Sequence, residues 1–226
     1  MKRVLLPGLD GTGRLFGPLL TFLDADDRSQ VVSYPVDRPL SYAQLETRVR
    51  SALPDEPFVV LGESFSSPIA IRLAASRPTN LRGVVLCCGF ARNPRPGLGS
   101  LLPVLPYVPI HGRAASLARN VLLGAVDPAL RALLEDTLSG VSAEVIRHRL
   151  REIATVDVRD ALAEIEVPLL YLEAGQDRLV PSSNVADVSE RVGFVEVETF
   201  DGPHLLLQVL PEDCATAIQD WVRDCC

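Results

Sequence analysis

Phe58-Val59-Val60-Leu61-Gly62-Glu63-Ser64-Phe65-Ser66-Ser67-Pro68-Ile69-Ala70 joins two structural signals through one sharp break. Phe58 to Leu61 is a short apolar run, bounded upstream by Pro54 and Pro57, in the pattern of a buried strand. Ile69 to Ala75 is apolar-periodic with Pro68 just ahead, the pattern of a helix with proline in its first turn. Between them lies Gly62-Glu63-Ser64-Phe65-Ser66, a serine with a small residue two positions to either side. A strand that turns at once into a helix strains the backbone at the apex and projects that side chain into the open. The flanking positions must then be small so that strand and helix can approach. Ser64 fits the apex of such a nucleophile elbow; Ser66 stands where glycine is usual, and is small enough. The simpler account is a serine capping the helix that follows. A nucleophile also needs a base, an acid to orient it and a site for a developing negative oxygen.

The totals exclude several classes. With 226 residues, 47% of them hydrophobic, the chain is long enough to bury one large core. A net charge of −7 argues against a dedicated nucleic-acid binder. The start, Met1-Lys2-Arg3-Val4-Leu5-Leu6, is broken by Pro7-Gly8 and Asp10, so no signal peptide is expected. The longest run without a charged residue, 96–112, contains Pro96, Pro103, Pro106 and Pro109, and no transmembrane segment is expected. Cys87, Cys88, Cys214, Cys225 and Cys226 are odd in number and match neither a metal-ligand spacing nor a secreted disulfide framework, which suits a cytoplasmic location. Cys225-Cys226 lacks the form of a prenylation signal and is taken as incidental. The three histidines are scattered; no metal and no cofactor are expected.

Taken in order, residues 3–6 suit a first strand, ended by Pro7-Gly8. Pro7-Gly8-Leu9-Asp10-Gly11-Thr12-Gly13 then forms a glycine-rich loop before an apolar segment, 15–23. A P-loop would need Lys and Ser/Thr where Arg14 and Leu15 stand, and Phe16 spoils the third glycine of a dinucleotide fingerprint. An oxyanion loop, with a backbone N–H after the first glycine aimed at a negative oxygen, is compatible, as is a plain tight turn. A second strand is expected at 31–33, a helix over 41–53 with Ser41 as its cap, and a strand at 81–87. Strands alternating with helices predict a parallel sheet covered on both faces.

The rhythm changes over residues 91–163, where a Pro- and Gly-rich stretch precedes helical patterns at 113–124, 128–139 and 142–153. This segment is expected to be an inserted helical lid, with 1–90 and 164–226 forming the core. Between Ala91 and Asp160 nine arginines face seven acidic residues, a mild basic bias in an acidic chain. The sheet is expected to resume at 167–173, followed by Asp177 in a loop, then a strand over 194–200, then His204 and a final helix over 205–222. Singly, Asp177 is a turn residue and His204 an incidental loop residue. Together, serine, aspartate and histidine stand at successive strand ends in the order Ser, Asp, His, behind a glycine-rich loop.

Pro7-Gly8-Leu9-Asp10-Gly11-Thr12-Gly13, Gly62-Glu63-Ser64-Phe65-Ser66, Gly175-Gln176-Asp177-Arg178-Leu179-Val180-Pro181 and Gly202-Pro203-His204 resemble the oxyanion, nucleophile, acid and base blocks of compact bacterial α/β-hydrolases. The usual His-Gly start of the oxyanion loop is Pro7-Gly8 here, and the first strand stands in place of the family's third. The resemblance therefore implies an α/β-hydrolase fold with a minimal, all-parallel six-stranded sheet flanked by helices. It also implies Ser64 as nucleophile, His204 as general base and Asp177 as its orienting acid, with backbone N–H groups of Leu9 and Phe65 as the oxyanion hole. The expected substrate is a small carboxylic ester or thioester with an apolar acyl group, which Leu98, Leu101, Leu102, Val104, Leu105, Val108 and Ile110 would contact or, equally, whose lid core they would form. A narrower expectation is an acyl group on an acidic carrier protein, met by Arg147, Arg149 and Arg151. The rivals from other classes are a ligand-binding protein that keeps the triad without turnover, and a lyase.

Overall fold

A computed structural model describes residues 1–23, 28–97 and 127–225. Among these, six strands form one sheet: β1 (Lys2–Leu6), β2 (Ser29–Val31), β3 (Phe58–Glu63), β4 (Leu81–Cys87), β5 (Leu169–Ala174) and β6 (Val195–Phe200). Their order is β2-β1-β3-β4-β5-β6, and every pairing is parallel. Helices α1 (Gly17–Leu23), α2 (Tyr42–Arg50) and α3 (Ser67–Ala75) connect the first four strands. Between β4 and β5 come α4 (Pro128–Ser139), α5 (Ala143–Thr155) and α6 (Arg159–Leu162); α7 (Ser183–Ser189) precedes β6, and α8 (Leu206–Val209) and α9 (Pro211–Cys225) follow it.

Side chains of a strand alternate between faces, so a sheet covered on both sides needs apolar residues at consecutive positions. Val4, Leu6, Val60, Val84, Leu86 and Tyr171 belong to one core with Leu45, Ile69, Leu162 and Val188 of α2, α3, α6 and α7. Leu5, Val59, Leu61, Val85 and Leu172 belong to the other, with Leu19, Leu206, Ile218 and Trp221 of α1, α8 and α9. The edge strand β6 instead exposes Glu196 and Thr199, which discourages pairing with a further strand.

The expected strands are present, with β2 two residues earlier than predicted. The single final helix predicted over 205–222 is two helices. Pro211 has no N–H to continue the ladder, so α8 ends at Val209 and α9 restarts with proline at its first position. Helix α2 begins with a full capping box between Ser41 and Gln44. The predicted helices at 128–139 and 142–153 correspond to α4 and α5, whereas the one at 113–124 and the apolar residues 98–110 lie outside the described residues.

The approach of strand β3 to helix α3 makes a steric demand at Gly62. A Cβ there would lie 2.8 Å from the Ala70 Cβ and 3.1 Å from the Ser66 carbonyl oxygen. Strand β3 and helix α3 can therefore meet only if position 62 has no side chain. Gly62→Ala is expected to lower stability by about 1–3 kcal/mol, the usual cost of overpacking. Urea denaturation checks this, as a lower midpoint with an unchanged slope.

Candidate active site

Parallel strands present the loops that follow them at one rim. Leu6 pairs with Gly62, so the glycine-rich loop after β1 and the turn after β3 leave adjacent strands at the same level. Ala174 pairs with Phe200, which does the same for the loops that carry Asp177 and His204. Those two loops are laced together: Gly175 N–H donates to Phe200 O at 2.8 Å and Gln176 N–H to Gly202 O at 3.0 Å.

At the elbow, Ser64 has φ 45°, a left-handed conformation that costs a non-glycine residue energy. Its Oγ lies 2.9 Å from His204 Nε2. The other ring nitrogen, Nδ1, lies 2.6 Å from Asp177 Oδ2. A carboxylate only accepts, so Nδ1 carries the proton and Nε2 is left to accept from the serine hydroxyl. The second Asp177 oxygen, Oδ1, accepts from the N–H groups of Leu179 and Val180 at 2.7 and 2.9 Å. Burial pushes the Asp177 carboxyl up, but the bond to His204, the histidine's charge and these two N–H donors outweigh it and hold it below the ordinary range. The three side chains picked from sequence are thus brought together in one hydrogen-bonded line.

The predicted oxyanion residues, Leu9 and Phe65, lie in the segments that follow β1 and β3 at that rim. Gly8 O accepts from Gly11 N–H at 3.0 Å, which fixes the peptide plane that carries the Leu9 N–H. Phe65 lies in the first turn after β3, where N–H groups lack partners four residues back. Ser66 does more than fit where glycine was expected. Fully buried, its Oγ donates to Pro7 O and lies 2.7 Å from the Tyr34 hydroxyl, tying the elbow to the glycine-rich loop.

Two buried neighbours of the candidate site were not picked from sequence for the positions they take. Glu63, beside the nucleophile, is 5% exposed; its Oε2 accepts from Gly8 N–H at 3.3 Å and its Oε1 from Gln208 Nε2 at 2.9 Å. Burial pushes its carboxyl from the ordinary 4.5 up to about 7, with the Asp10 charge adding to the rise and the Gln208, His204 and Gly8 contacts opposing it. A carboxylic acid immediately before the elbow serine was the available signal. Arg149 is the second, and here the structure corrects an expectation. It was grouped with Arg147 and Arg151 as a docking cluster, yet it is only 2% exposed and points inward, because residues two apart on a helix face different sides.

Among the described residues, the group able to offer three metal-ligating atoms is Cys88, Asp177 and His204, all within 4.8 Å. Its imidazole and carboxylate are already bonded to each other. The described cysteines Cys87, Cys88, Cys214 and Cys225 are unpaired, and no helix among the described residues is long and apolar enough to cross a membrane.

A profile of the alpha/beta hydrolase family matches residues 4–217, and the chain belongs to that family. It is 29% identical over 193 residues to the mouse (Mus musculus) monoglyceride lipase, covering 77% of this chain and 61% of that protein. It is also 29% identical over 235 residues to the biotin biosynthesis bifunctional protein BioHC of Cellvibrio japonicus, covering 97% of this chain and 45% of that protein. The chain thus spans about half the length of the curated relatives it matches. Among solved structures it superposes on an esterase from Exiguobacterium antarcticum with a TM-score of 0.82 and 14% identity, covering 99% of this chain and 92% of that one. That likeness is one of fold.

Glu63 has a consequence for stability. Between about pH 4.5 and 7 the folded protein holds a proton on this group that the unfolded chain has lost. Its contribution is therefore greatest at low pH and declines through that window, by on the order of 3 kcal/mol. Glu63→Gln keeps the shape and an acceptor for Gly8 but cannot ionise. The fall in urea midpoint between pH 5 and pH 8 should flatten in this variant.

Proposed function

We propose that this α/β-hydrolase cleaves a carboxylic ester or thioester through an acyl-enzyme on Ser64. The observation that carries this reading is the unbroken line from Ser64 Oγ through both nitrogens of His204 to Asp177, at 2.9 and 2.6 Å. Ser64 Oγ attacks the acyl carbon while its proton passes to His204 Nε2, and Asp177 stabilises the imidazolium. The carbonyl oxygen becomes an oxyanion held by the N–H groups of Leu9 and Phe65. As the C–O or C–S bond to the leaving group breaks, His204 returns the proton to the departing oxygen or sulfur. Water then repeats the sequence on the acyl-enzyme, giving up a proton to His204, releasing the carboxylic acid and restoring Ser64.

In this reading residues 91–163 form the cap over the acyl side of the site, and the unpaired cysteines fit a reducing compartment such as the cytoplasm. No cofactor enters the steps. A substrate carried on an acidic carrier protein has narrower support: the inward turn of Arg149 leaves only Arg147, half-buried, and Arg151, exposed, of the proposed docking cluster. The relative from Cellvibrio japonicus is named for biotin biosynthesis.

A fluorophosphonate probe should label the protein at Ser64, and short-chain p-nitrophenyl esters should turn over. Ser64→Ala and His204→Ala are expected to lose about 10⁶-fold in kcat, and Asp177→Asn about 10⁴-fold. Undiminished turnover in Ser64→Ala would end the serine mechanism, and labelling without turnover would favour a binding protein or a lyase. For the carrier reading, turnover of a carrier-linked acyl group should weaken with added salt while that of the free ester does not.

A further inference from the structure

Among the described residues, one arginine is buried with no carboxylate bonded to its guanidinium. Arg149 projects from the inner face of α5 beside Val145 and Ile146, which share a cluster with Leu9 and Val36. Its Nη1 donates to Leu9 O at 2.8 Å and to Asp10 O at 2.7 Å, and its Nη2 donates to Pro35 O at 2.9 Å. The Cζ lies 5.8 Å from the ring centroids of both Tyr34 and Phe65. Taking a guanidinium out of water is costly, and an arginine stays charged inside a protein. The chain meets that cost here with three main-chain carbonyls, two aromatic faces and the nearby Asp10 charge. Two of these partners, Leu9 and Phe65, are the residues proposed to offer the oxyanion donors.

The loop is shaped around this group. Gly11 has φ 70°, and a Cβ on it would fall 2.5 to 2.7 Å from three guanidinium atoms. Gly11 O in turn accepts from Tyr34 N–H at 2.7 Å, and the Tyr34 hydroxyl meets Ser66 Oγ beside the elbow. The guanidinium therefore sits at the centre of a ring formed by the glycine-rich loop, Tyr34 and Phe65. The two residues proposed to offer oxyanion donors are the two it touches on the catalytic side, Leu9 through its carbonyl and Phe65 through its ring.

We propose that Arg149 is a positioning residue of the oxyanion hole, which it builds from α5, a helix outside the core that carries the triad. This rests on the proposed acyl-transfer reading. By holding the carbonyls of the two successive peptides that flank the Asp10 Cα, Arg149 fixes the loop so that the Leu9 N–H faces the spot served by Phe65. Its charge also keeps a positive potential behind that spot, where negative charge accumulates in the transition state and not in bound substrate. The loss on mutation should accordingly fall on kcat.

The test compares wild type with Arg149→Lys and Arg149→Met, using p-nitrophenyl butyrate turnover, thermal melts and inhibition by an alkyl trifluoromethyl ketone. That inhibitor adds to the serine and presents the same oxyanion. Expected are cooperative melts, kcat lower by about 10²-fold in both variants, KM within a few-fold, and inhibitor affinity weakened in proportion to kcat/KM. A group that served only as a strut would shift the melt without coupling inhibitor affinity to rate. Wild-type kcat in either folded variant overturns the proposal, as does failure of both variants to fold, since Arg149 would then be a stability element. Wild type that turns over and is labelled at Ser64 separates this failure from failure of the serine mechanism itself.

Discussion

Parallel pairing is the constraint on which the site depends. Because all six strands run the same way, the segments after β1, β3, β5 and β6 emerge at one rim, whatever their separation in sequence. Ser64 and His204 are 140 residues apart and 2.9 Å apart in space for that reason. Parallel strands need crossover helices, and helices on both faces bury the central strands of the sheet. The same burial leaves the strand ends as the place where polar side chains can gather with access to a substrate.

At that rim the polar groups hold one another. Glu63 binds the glycine-rich loop through Gly8 and the helix after His204 through Gln208. Ser66 binds the same loop through Pro7 and reaches Tyr34. Arg149 closes the circuit from α5. The Ser64–His204–Asp177 line and the glycine-rich loop are thus braced by side chains that belong to neither. The low-dielectric surroundings make each bond more costly to break than it would be at the surface. The strain at Ser64, with its φ of 45°, is carried by this bracing and by the close contact at Gly62.

From sequence the α4–α5 region was expected to belong to an inserted helical lid, with Arg147, Arg149 and Arg151 as a docking cluster for an acidic partner. Helix α5 is instead bound to the core from several sides: Tyr42 N–H donates to Glu152 at 2.6 Å, and Ser142 N–H to Val36 O at 2.8 Å. Arg149 lies on the face these contacts press inward. A charged residue in a helix suggests solvent on base rates alone, and nothing local marks a guanidinium that will be met by carbonyls from residues 9, 10 and 35. Glu63 was illegible for the same reason. Its neighbours in sequence are a glycine and a serine, while its weakened acidity comes from burial, with the Asp10 charge adding to it, once distant segments have covered it.

What the amino-acid sequence determined by itself was the alternation of elements and the identity of the residues at strand ends. Apolar runs, caps and glycines act within a few residues, so β3, the elbow at Ser64 and the capped start of α2 were all readable. The order Ser, Asp, His was visible because each residue follows a strand, and parallel topology makes strand ends coincide. Only the tertiary structure decided which buried polar groups meet across the rim, because a desolvated side chain takes whatever partner folding brings to it. Ser66 as a brace, Glu63 as a proton-holding neighbour and Arg149 as an inward charge exist only once distant carbonyls and amides have replaced water around them.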